Sequence, residues 1–277
     1  MKKILALLSV LFILILAACG GEESSAKDNV IEVGASSTPH AKILEKAKPI
    51  LKEKGITLKI EEYQDYILPN KDLSNGEIDA NYFQHIPYLK TQKEELGYNF
   101  THLGGIHIEP MGIYSKTYDS LKEVKEGTEV LMSRSVADHG RTLALLEKAG
   151  LIKLADGVDK VEATVDDIVE NPKNLMFSPE YEAAFLPELY ETEENTLVAI
   201  NTNYAIGAGL NPTEDALIIE GEESPYVNVV AVKKENKDNE ALNTLVDVLH
   251  SKEIQDYILK EFDGAVVPVD GKASDDK

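Results

Sequence analysis

The chain has 277 residues, 43% of them hydrophobic, and its 49 acidic against 28 basic residues give a formal net charge of −21. This acidity argues against a nucleic-acid partner, whose phosphates would be repelled. The single cysteine excludes an intramolecular disulfide. The length is enough for one large domain or two lobes.

The first 29 residues are typical of an exported, lipid-anchored protein. Two lysines precede an almost wholly apolar stretch from residue 4 to residue 18, and small residues lead into Cys19. The stretch is about 15 residues long, shorter than the roughly 20 that a membrane-spanning helix needs. We therefore predict a signal peptide over 1–18. Small residues before a cysteine resemble the lipobox of bacterial lipoproteins, so Cys19 is the expected lipid attachment site and 19–29 a flexible tether. The expected location is the extracytoplasmic face of the cell membrane.

The first half of the remaining chain alternates strand and helix patterns. Strands are predicted at 30–36, 56–63 and 78–83, helices after residue 37, near 70–75 and at 86–97, and a long extended run at 106–115. Such alternation is typical of an α/β fold with a mostly parallel sheet.

A second set of elements begins at residue 128. The pattern predicts a strand at 128–133, a helix at 137–150, a strand at 196–201, an extended run at 224–234 and one long amphipathic helix over 240–262. Two α/β lobes fit this arrangement better than one.

Motifs that would indicate an enzyme are missing from the sequence. The chain contains no phosphate-binding loop, nucleophile elbow, zinc-protease motif or dinucleotide fingerprint. His102, His107 and Glu109 offer metal-ligating groups, and the last two point the same way on a strand. Three such groups on one short stretch are a weak signal, and we interpret them as strand-end residues with no metal or cofactor.

The stretch NYFQHIPY, residues 81–88, concentrates aromatic residues in a chain where they are only 6% of the total. On a strand, Tyr82 and Gln84 alternate with Phe83 and His85, so one pair is expected to face the lobe interior and the other a cleft. Taken alone, the stretch fits a core segment or the wall of a ligand site.

Longer blocks of sequence resemble a known family, the NlpA-type lipoproteins. The blocks are YQDYILPN (63–70), GEIDANYFQHIPYL (76–89), GGIHIEPMGIYSK (104–116), ENPKNL (170–175), INTNYAIGAGLNP (200–212) and SPYVN (224–228). The resemblance runs from the lipobox to about residue 268. It implies a methionine-binding receptor, not an enzyme, that serves the permease and cytoplasmic ATPase of an ABC importer.

The resemblance also implies a fold in which two α/β lobes close on one amino acid, as in periplasmic binding proteins. We expect the first lobe to comprise 30–112 and 226–268, the second to comprise 113–225, and the tail at 269–277 to be flexible. Two hinge segments would join the lobes, near 112–115 and near 224–227.

The family pattern assigns site residues to this chain. An aromatic box around the ligand thioether is implied for Tyr66, Phe83, His85 and Tyr88. Arg141, which follows a glycine in the first turns of a predicted helix, would bind the ligand carboxylate through its planar fork, and the alternative is a surface ion pair. Polar site residues are implied at Asn201 and Asn228. Asn203 would either share the direction of Asn201 or only cap the next helix.

One segment departs from the family pattern. Many members carry an Asn-Asp-Pro-Thr-Asn type segment before the Gly-Arg pair, whereas this chain has SRSVADH at 133–139. The polar groups beside the ligand can therefore differ. A methionine-containing dipeptide or another small apolar amino acid stays an alternative ligand, and an exported enzyme or a metal-binding lipoprotein is an alternative of a different class.

Overall fold

The structure, a computed structural model, describes residues 29–221 and 224–270. The predicted signal peptide, Cys19 and nearly all of the tether and tail lie outside these residues. Within them, no helix is both long and apolar enough to cross a lipid bilayer. The described chain forms two main β-sheets with helices packed against them, and a small two-stranded ribbon.

The first main sheet has six strands in the order β13-β4-β12-β3-β1-β2. Their bounds are Val30–Ser36 (β1), Thr57–Tyr63 (β2), Ala80–His85 (β3), Phe100–Ile108 (β4), Val227–Lys233 (β12) and Val267–Pro268 (β13). The helices associated with it are Ser37–Ala41, Lys42–Glu53 (α1), Leu68–Asn75 (α2), Ile86–Leu96 (α3), Glu240–Leu249 (α8) and Lys252–Glu261 (α9), with a short turn of helix at Lys234–Asn236.

The second main sheet has five strands in the order β11-β5-β10-β6-β9. Their bounds are Gly112–Tyr114 (β5), Glu129–Ser133 (β6), Met176–Tyr181 (β9), Thr196–Ile200 (β10) and Ile218–Ile219 (β11), and the ribbon pairs Lys153–Leu154 (β7) with Ile168–Glu170 (β8). The helices of this part are Val136–Lys148 (α4), Leu186–Thr192 (α5), Thr202–Gly207 (α6) and Pro212–Asp215 (α7), with short turns at Leu121–Glu123, Val165–Asp167 and Ala183–Phe185.

Each main sheet has its own hydrophobic core. Helix α1 shows how the sequence builds it, because Ile43, Leu44, Ala47 and Leu51 recur at helical spacing and are all buried. They pack with apolar residues of β1 and α8. A separate cluster around Leu143 and Leu146 of α4 lies on the five-stranded sheet. The space between the sheets is lined mainly by polar and aromatic side chains.

The sheets are mixed, so the prediction of a mostly parallel sheet was wrong. Pairing is parallel between β1 and β2, β1 and β3, β6 and β9, and β6 and β10. It is antiparallel where β12 joins β3 and β4, and where β5 and β11 join the second sheet. Strand β12 returns to the first sheet only after the chain has completed the second, and it enters from the opposite end.

The chain passes between the sheets where one long extended run was predicted. The run over 106–115 is divided between β4 of the six-stranded sheet and β5 of the five-stranded sheet. Residues 109–111 join the two strands and lack strand pairing. Glu109 thus lies on a connection between the sheets and next to the space that separates them.

The predicted single helix over 240–262 is two helices, α8 and α9. Ser251 between them has an extended backbone, with φ −63° and ψ 148°, the conformation of a residue that precedes a helix. The break turns α9 so that Ile254 and Ile258 are buried against the core. Hydrophobic periodicity continued across the break, which is why the pattern did not reveal it.

Gly140 in α4 provides a test of the packing beside the space between the sheets. A Cβ there would lie 2.1 Å from the carbonyl oxygen of Lys160 and 2.7 Å from that of Val161. We expect Gly140→Ala to lower the free energy of unfolding by at least about 2 kcal/mol, because backbone must move. Gly207→Ala is the control, since a Cβ there meets no heavy atom within 4 Å. Denaturant unfolding of both variants without ligand measures the two losses of unfolding free energy. Equal losses would contradict the close packing at Gly140.

Candidate ligand-binding site

A cavity lies between the two sheets and is lined by side chains from both. The empty space among them is about 380 Å³, including the part open to solvent. All seven residues that the sequence assigned to a ligand site line it. The complete lining is Tyr66, Phe83, Gln84, His85, Tyr88, Glu109, Asp138, Arg141, Asn201, Thr202, Asn203 and Asn228.

Three aromatic rings form one wall of the cavity. The ring centroids of Tyr66, Phe83 and Tyr88 lie 6.0 to 6.1 Å from one another. The Tyr88 hydroxyl donates to the carbonyl oxygen of Tyr66 at 2.9 Å, which holds two of the rings together. The strand alternation of β3 explains the third, because Tyr82 turns into the core while Phe83 turns towards the cavity. Gln84 lines the cavity as well, so the alternation was only partly right.

His85 and Asp138 connect the two sides of the cavity. The Nδ1 atom of His85 accepts from the backbone N–H of Tyr88 at 3.1 Å, so Nε2 carries the proton and donates to Asp138 Oδ1 at 3.2 Å. Burial alone would raise the pKa of Asp138. The hydrogen bond from His85, the Arg141 guanidinium and the Asn201 amide together hold that pKa below its usual range. Asp138 is therefore a carboxylate at neutral pH.

Arg141 is buried rather than exposed, and a protein carboxylate already occupies its fork. Nε donates to both carboxylate oxygens of Glu220 at 3.1 Å, and Nη2 also contacts Glu220 and donates to the carbonyl oxygen of Glu109 at 2.8 Å. The guanidinium carbon lies 4.3 Å from the ring centroid of Tyr226. Nη1 remains on the side of Asp138, 3.7 Å from its Oδ1. A ligand carboxylate would thus meet the Nη1 group of Arg141 and not the expected pair of parallel guanidinium N–H donors.

The three asparagines of the site have different partners. Asn201 donates from Nδ2 to Asp138 Oδ2 at 3.2 Å, and its Oδ1 is buried without a hydrogen bond to any described residue. Asn228 Oδ1 lies 3.1 Å from Nε2 of His40. Asn203 Oδ1 accepts from the Tyr66 hydroxyl at 2.6 Å. Asn203 is therefore part of the cavity wall, and Asn201 occupies the position that precedes helix α6.

A buried histidine–glutamate cluster lies behind Asn228 and includes Glu109 of the cavity lining. Glu109 Oε1 is 2.8 Å from His107 Nε2 and 3.1 Å from His40 Nε2. Nδ1 of His107 meets the Tyr82 hydroxyl, which leaves its Nε2–H to donate to Glu109. Burial lowers the pKa of His40 to about 4 and that of His107 to about 3, and it raises the pKa of Glu109. Both imidazoles are neutral at pH 7.

These three residues could also hold a metal ion. One ligand atom from each of His40, His107 and Glu109 lies within 4.8 Å of the others, and the set has the chemistry of a zinc site. In the structure His107 Nε2 donates a hydrogen bond to Glu109 Oε1 at 2.8 Å, and His40 Nε2 lies 3.1 Å from that oxygen and 3.1 Å from Asn228 Oδ1. His40 was not among the metal-ligating candidates from the sequence, which grouped His102 with His107 and Glu109.

Sequence reasoning missed several residues that line the cavity. Asp138 was seen only as part of a segment that departs from the family pattern, and Glu109 only as a weak metal ligand. Gln84 and Thr202 were not assigned, although both adjoin assigned residues. An acidic residue two positions before the Gly-Arg pair was the sequence signal that could have pointed to Asp138.

Comparisons with known proteins give a consistent result. A family model described as NlpA lipoprotein matches residues 31–270. The "Methionine-binding lipoprotein MetQ" of Bacillus subtilis (strain 168) is 49% identical over 97% of this chain and 99% of its own length. The "D-methionine-binding lipoprotein MetQ" of Escherichia coli (strain K12) is 40% identical over 92% of this chain and 93% of its own.

Solved structures match over most of both chains. A pheromone cOB1 precursor/lipoprotein of the YaeC family from Enterococcus faecalis V583 has a TM-score of 0.85 and 50% identity, covering 87% of this chain and 100% of that one. A nutrient binding protein from Burkholderia cenocepacia, solved bound to methionine, has a TM-score of 0.81 and 38% identity, covering 86% and 99%. The predicted two-lobed α/β fold is confirmed by these likenesses, and the chain belongs to the NlpA lipoprotein family.

Proposed function

We propose that this protein captures L-methionine outside the cytoplasm and delivers it to the permease of an ABC importer, whose cytoplasmic ATPase drives uptake. The observation that carries the proposal is the cavity itself, which has an aromatic wall together with charged and amide groups. A free amino acid with an apolar side chain needs this combination. The names of the relatives and the methionine in the Burkholderia structure agree with it.

The aromatic wall is suited to a thioether. Sulfur against the edges of aromatic rings contributes about 0.3 to 1.5 kcal/mol for each contact, and the rings of Tyr66, Phe83 and Tyr88 would also disfavour a charged side chain. The ligand's backbone groups would then lie near Arg141, Asn201 and Asn228. In this role Arg141 offers Nη1 to the carboxylate while Glu220 fixes the rest of the guanidinium.

We propose two lobes, one built on each main sheet, with hinge segments at 109–111 and near 224–227. Residues 112–115, where the sequence predicted the first hinge, already begin strand β5 of the second sheet. Two contacts between elements of different sheets would form on closure: His85 with Asp138, and the Tyr66 hydroxyl with Asn203. Both involve residues that line the cavity. Ligand capture would therefore be linked to domain closure, a common motion of two-lobed receptors.

A thermal-shift screen tests the proposed ligand. The protein is purified through unfolding, which removes ligand carried over from expression, and is refolded before addition of each amino acid and of methionine-containing dipeptides. We expect the largest rise in melting temperature with L-methionine, because a ligand that binds only the folded state stabilises it. A larger rise with a dipeptide or with another apolar amino acid would assign the alternative ligand.

Tyr88→Ala tests the aromatic wall. We expect methionine binding to weaken by about 1 to 3 kcal/mol, the scale of a lost buried aromatic contact. Tyr98→Ala is the matched control, because Tyr98 stacks on Phe100 outside the cavity. Calorimetric titration should show near-normal affinity for the control. Unchanged affinity in Tyr88→Ala, with lower stability alone, would return this tyrosine to a purely structural role.

Cys19→Ser tests the anchor that we propose for the membrane location. Cys19 is the only cysteine of the chain, so it alone could carry a thioether-linked lipid. We expect the variant to move from the membrane fraction to the soluble fraction with unchanged affinity for methionine. If the variant stayed in membranes, an uncleaved N-terminal helix would explain the location better.

A metal receptor is the second candidate function, favoured by the cluster of His40, His107 and Glu109. A protein that depends on a bound metal loses stability when a chelator removes the ion. We expect no change in melting temperature with chelator and no rise with added zinc, since His107 Nε2 already donates to Glu109 and His40 Nε2 already contacts Asn228. A marked rise with zinc that the chelator reverses would favour the metal receptor.

A further inference from the structure

Asp138 brings a negative charge to the cavity from the segment that departs from the family pattern. Its side chain is 3% exposed, and it touches His85 through Oδ1 and Asn201 through Oδ2. A carboxylate has about four lone-pair positions, so these two hydrogen bonds leave acceptor capacity. The nearest guanidinium nitrogen, Nη1 of Arg141, is 3.7 Å away, beyond hydrogen-bond distance.

Two further acceptors line the same cavity. Asn201 Oδ1 is buried and has no partner among the described residues, because the amide is oriented by its Nδ2 bond to Asp138. A buried acceptor without a donor is costly, and a ligand N–H group would relieve that cost. Glu109 contributes a second acidic side chain to the lining. The cavity is therefore rich in hydrogen-bond acceptors.

Positive charge in the cavity lining is largely offset within the protein. Arg141 is the one lysine or arginine among the lining residues, and Glu220 pairs with it through Nε and Nη2. The imidazoles of His40 and His107, beside Glu109, are neutral at pH 7 for the reason given above. A ligand ammonium would meet a carboxylate whose charge is only partly balanced, whereas a ligand carboxylate would meet a guanidinium that is already paired.

We propose that Asp138, with Asn201 and Glu109, is a specificity-determining residue that makes the cavity recognise the ligand's free ammonium group more strongly than its free carboxylate. This inference rests on the proposed function, because it concerns the same cavity and an amino-acid ligand. It defines the ligand class as primary amines that carry a thioether side chain. The carboxylate of such a ligand contributes less to binding than the ammonium group.

Two analogues of methionine separate the contributions without adding bulk. Methylthiopropylamine keeps the ammonium and lacks the carboxylate, and methylthiobutanoic acid keeps the carboxylate and lacks the ammonium. Calorimetric titration of each, by displacement of bound L-methionine where binding is weak, gives the ratio of their affinities. We expect the amine to bind at least about tenfold more tightly than the acid, since loss of a partner from a buried charge is strongly unfavourable.

Asp138→Asn keeps the shape of the side chain and removes its charge. We expect the preference for the amine over the acid to fall at least about fivefold in this variant, and because the ratio is taken within one protein, a general loss of stability does not imitate the effect. Two outcomes would overturn the inference alone, provided that L-methionine binds the wild type normally. One is an unchanged ratio in Asp138→Asn, and the other is an acid that binds the wild type as tightly as the amine. Failure of L-methionine itself to bind would instead contradict the proposed function and the inference together.

Discussion

Replacing Arg141 with lysine is expected to weaken methionine binding by at least about 2 kcal/mol, roughly thirtyfold. The guanidinium reaches Glu220, the carbonyl oxygen of Glu109 and the side of the cavity at the same time, because its donors are fixed in one plane. A lysine ammonium is a single point of charge that would move to Glu220 and leave the ligand carboxylate without a donor. Calorimetric titration with L-methionine measures the loss.

Arg134→Lys is the matched control for this exchange. Arg134 lies seven residues earlier, and its side chain is half exposed and paired with the exposed Glu182. Surface ion pairs contribute little, so the control should change affinity by less than about 0.5 kcal/mol. Equal losses in the two variants would mean that both arginines contact the ligand, as a longer dipeptide would require. No loss in either would place the carboxylate elsewhere in the cavity.

Acidification is expected to destabilise the ligand-free protein between about pH 6.5 and pH 4. The pKa of His40 is lowered to about 4 and that of His107 to about 3, chiefly by burial, against 6.5 for an ordinary histidine. In this range the unfolded chain binds protons that the folded chain does not. The contribution of the two histidines to the free energy of unfolding is therefore fully present above pH 6.5 and is lost as the pH decreases. Each histidine contributes about 1.4 kcal/mol per pH unit at most.

Glu109 opposes part of this effect, because burial raises its pKa and the folded state then takes up a proton more readily. We therefore expect a net loss of about 2 to 4 kcal/mol from pH 7 to pH 5. His107→Gln keeps a hydrogen-bond donor near Glu109 but does not titrate, and it should remove about half of the slope. Denaturant unfolding at several pH values measures both proteins. A wild-type stability that stays constant from pH 7 to pH 5 would mean that the buried imidazoles accept protons without cost.

The sequence predicted the local part of the fold well. Strands β1, β2 and β6 and helices α3 and α4 lie within one or two residues of their predicted bounds, because each has a clear hydrophobic period and a turn signal at its end. The direction of β12 depends on where the chain re-enters the first sheet, and no local pattern encodes that. The break at Ser251 was hidden because apolar residues continue at helical spacing on both sides of it.

The candidate site was predictable where the residues formed blocks that resemble a family. The aromatic residues, Arg141 and the two asparagines all line one cavity, although the resemblance alone assigned their roles. What the sequence did not predict are pairings over long separations. Glu220 is 79 residues from Arg141, and His85 is 53 residues from Asp138. The charge balance of the cavity follows from these pairs, so it required the folded structure.

Calorimetric titration of L-methionine into the refolded wild-type protein tests the central claim most directly. We predict one site per chain and a dissociation constant that can reach the nanomolar range, which is the limit for a ligand of about nine non-hydrogen atoms. Such an affinity requires near-complete enclosure of the ligand. The claim would be contradicted if saturating L-methionine gave no heat of binding while the protein was normally folded and bound another ligand in the same cavity.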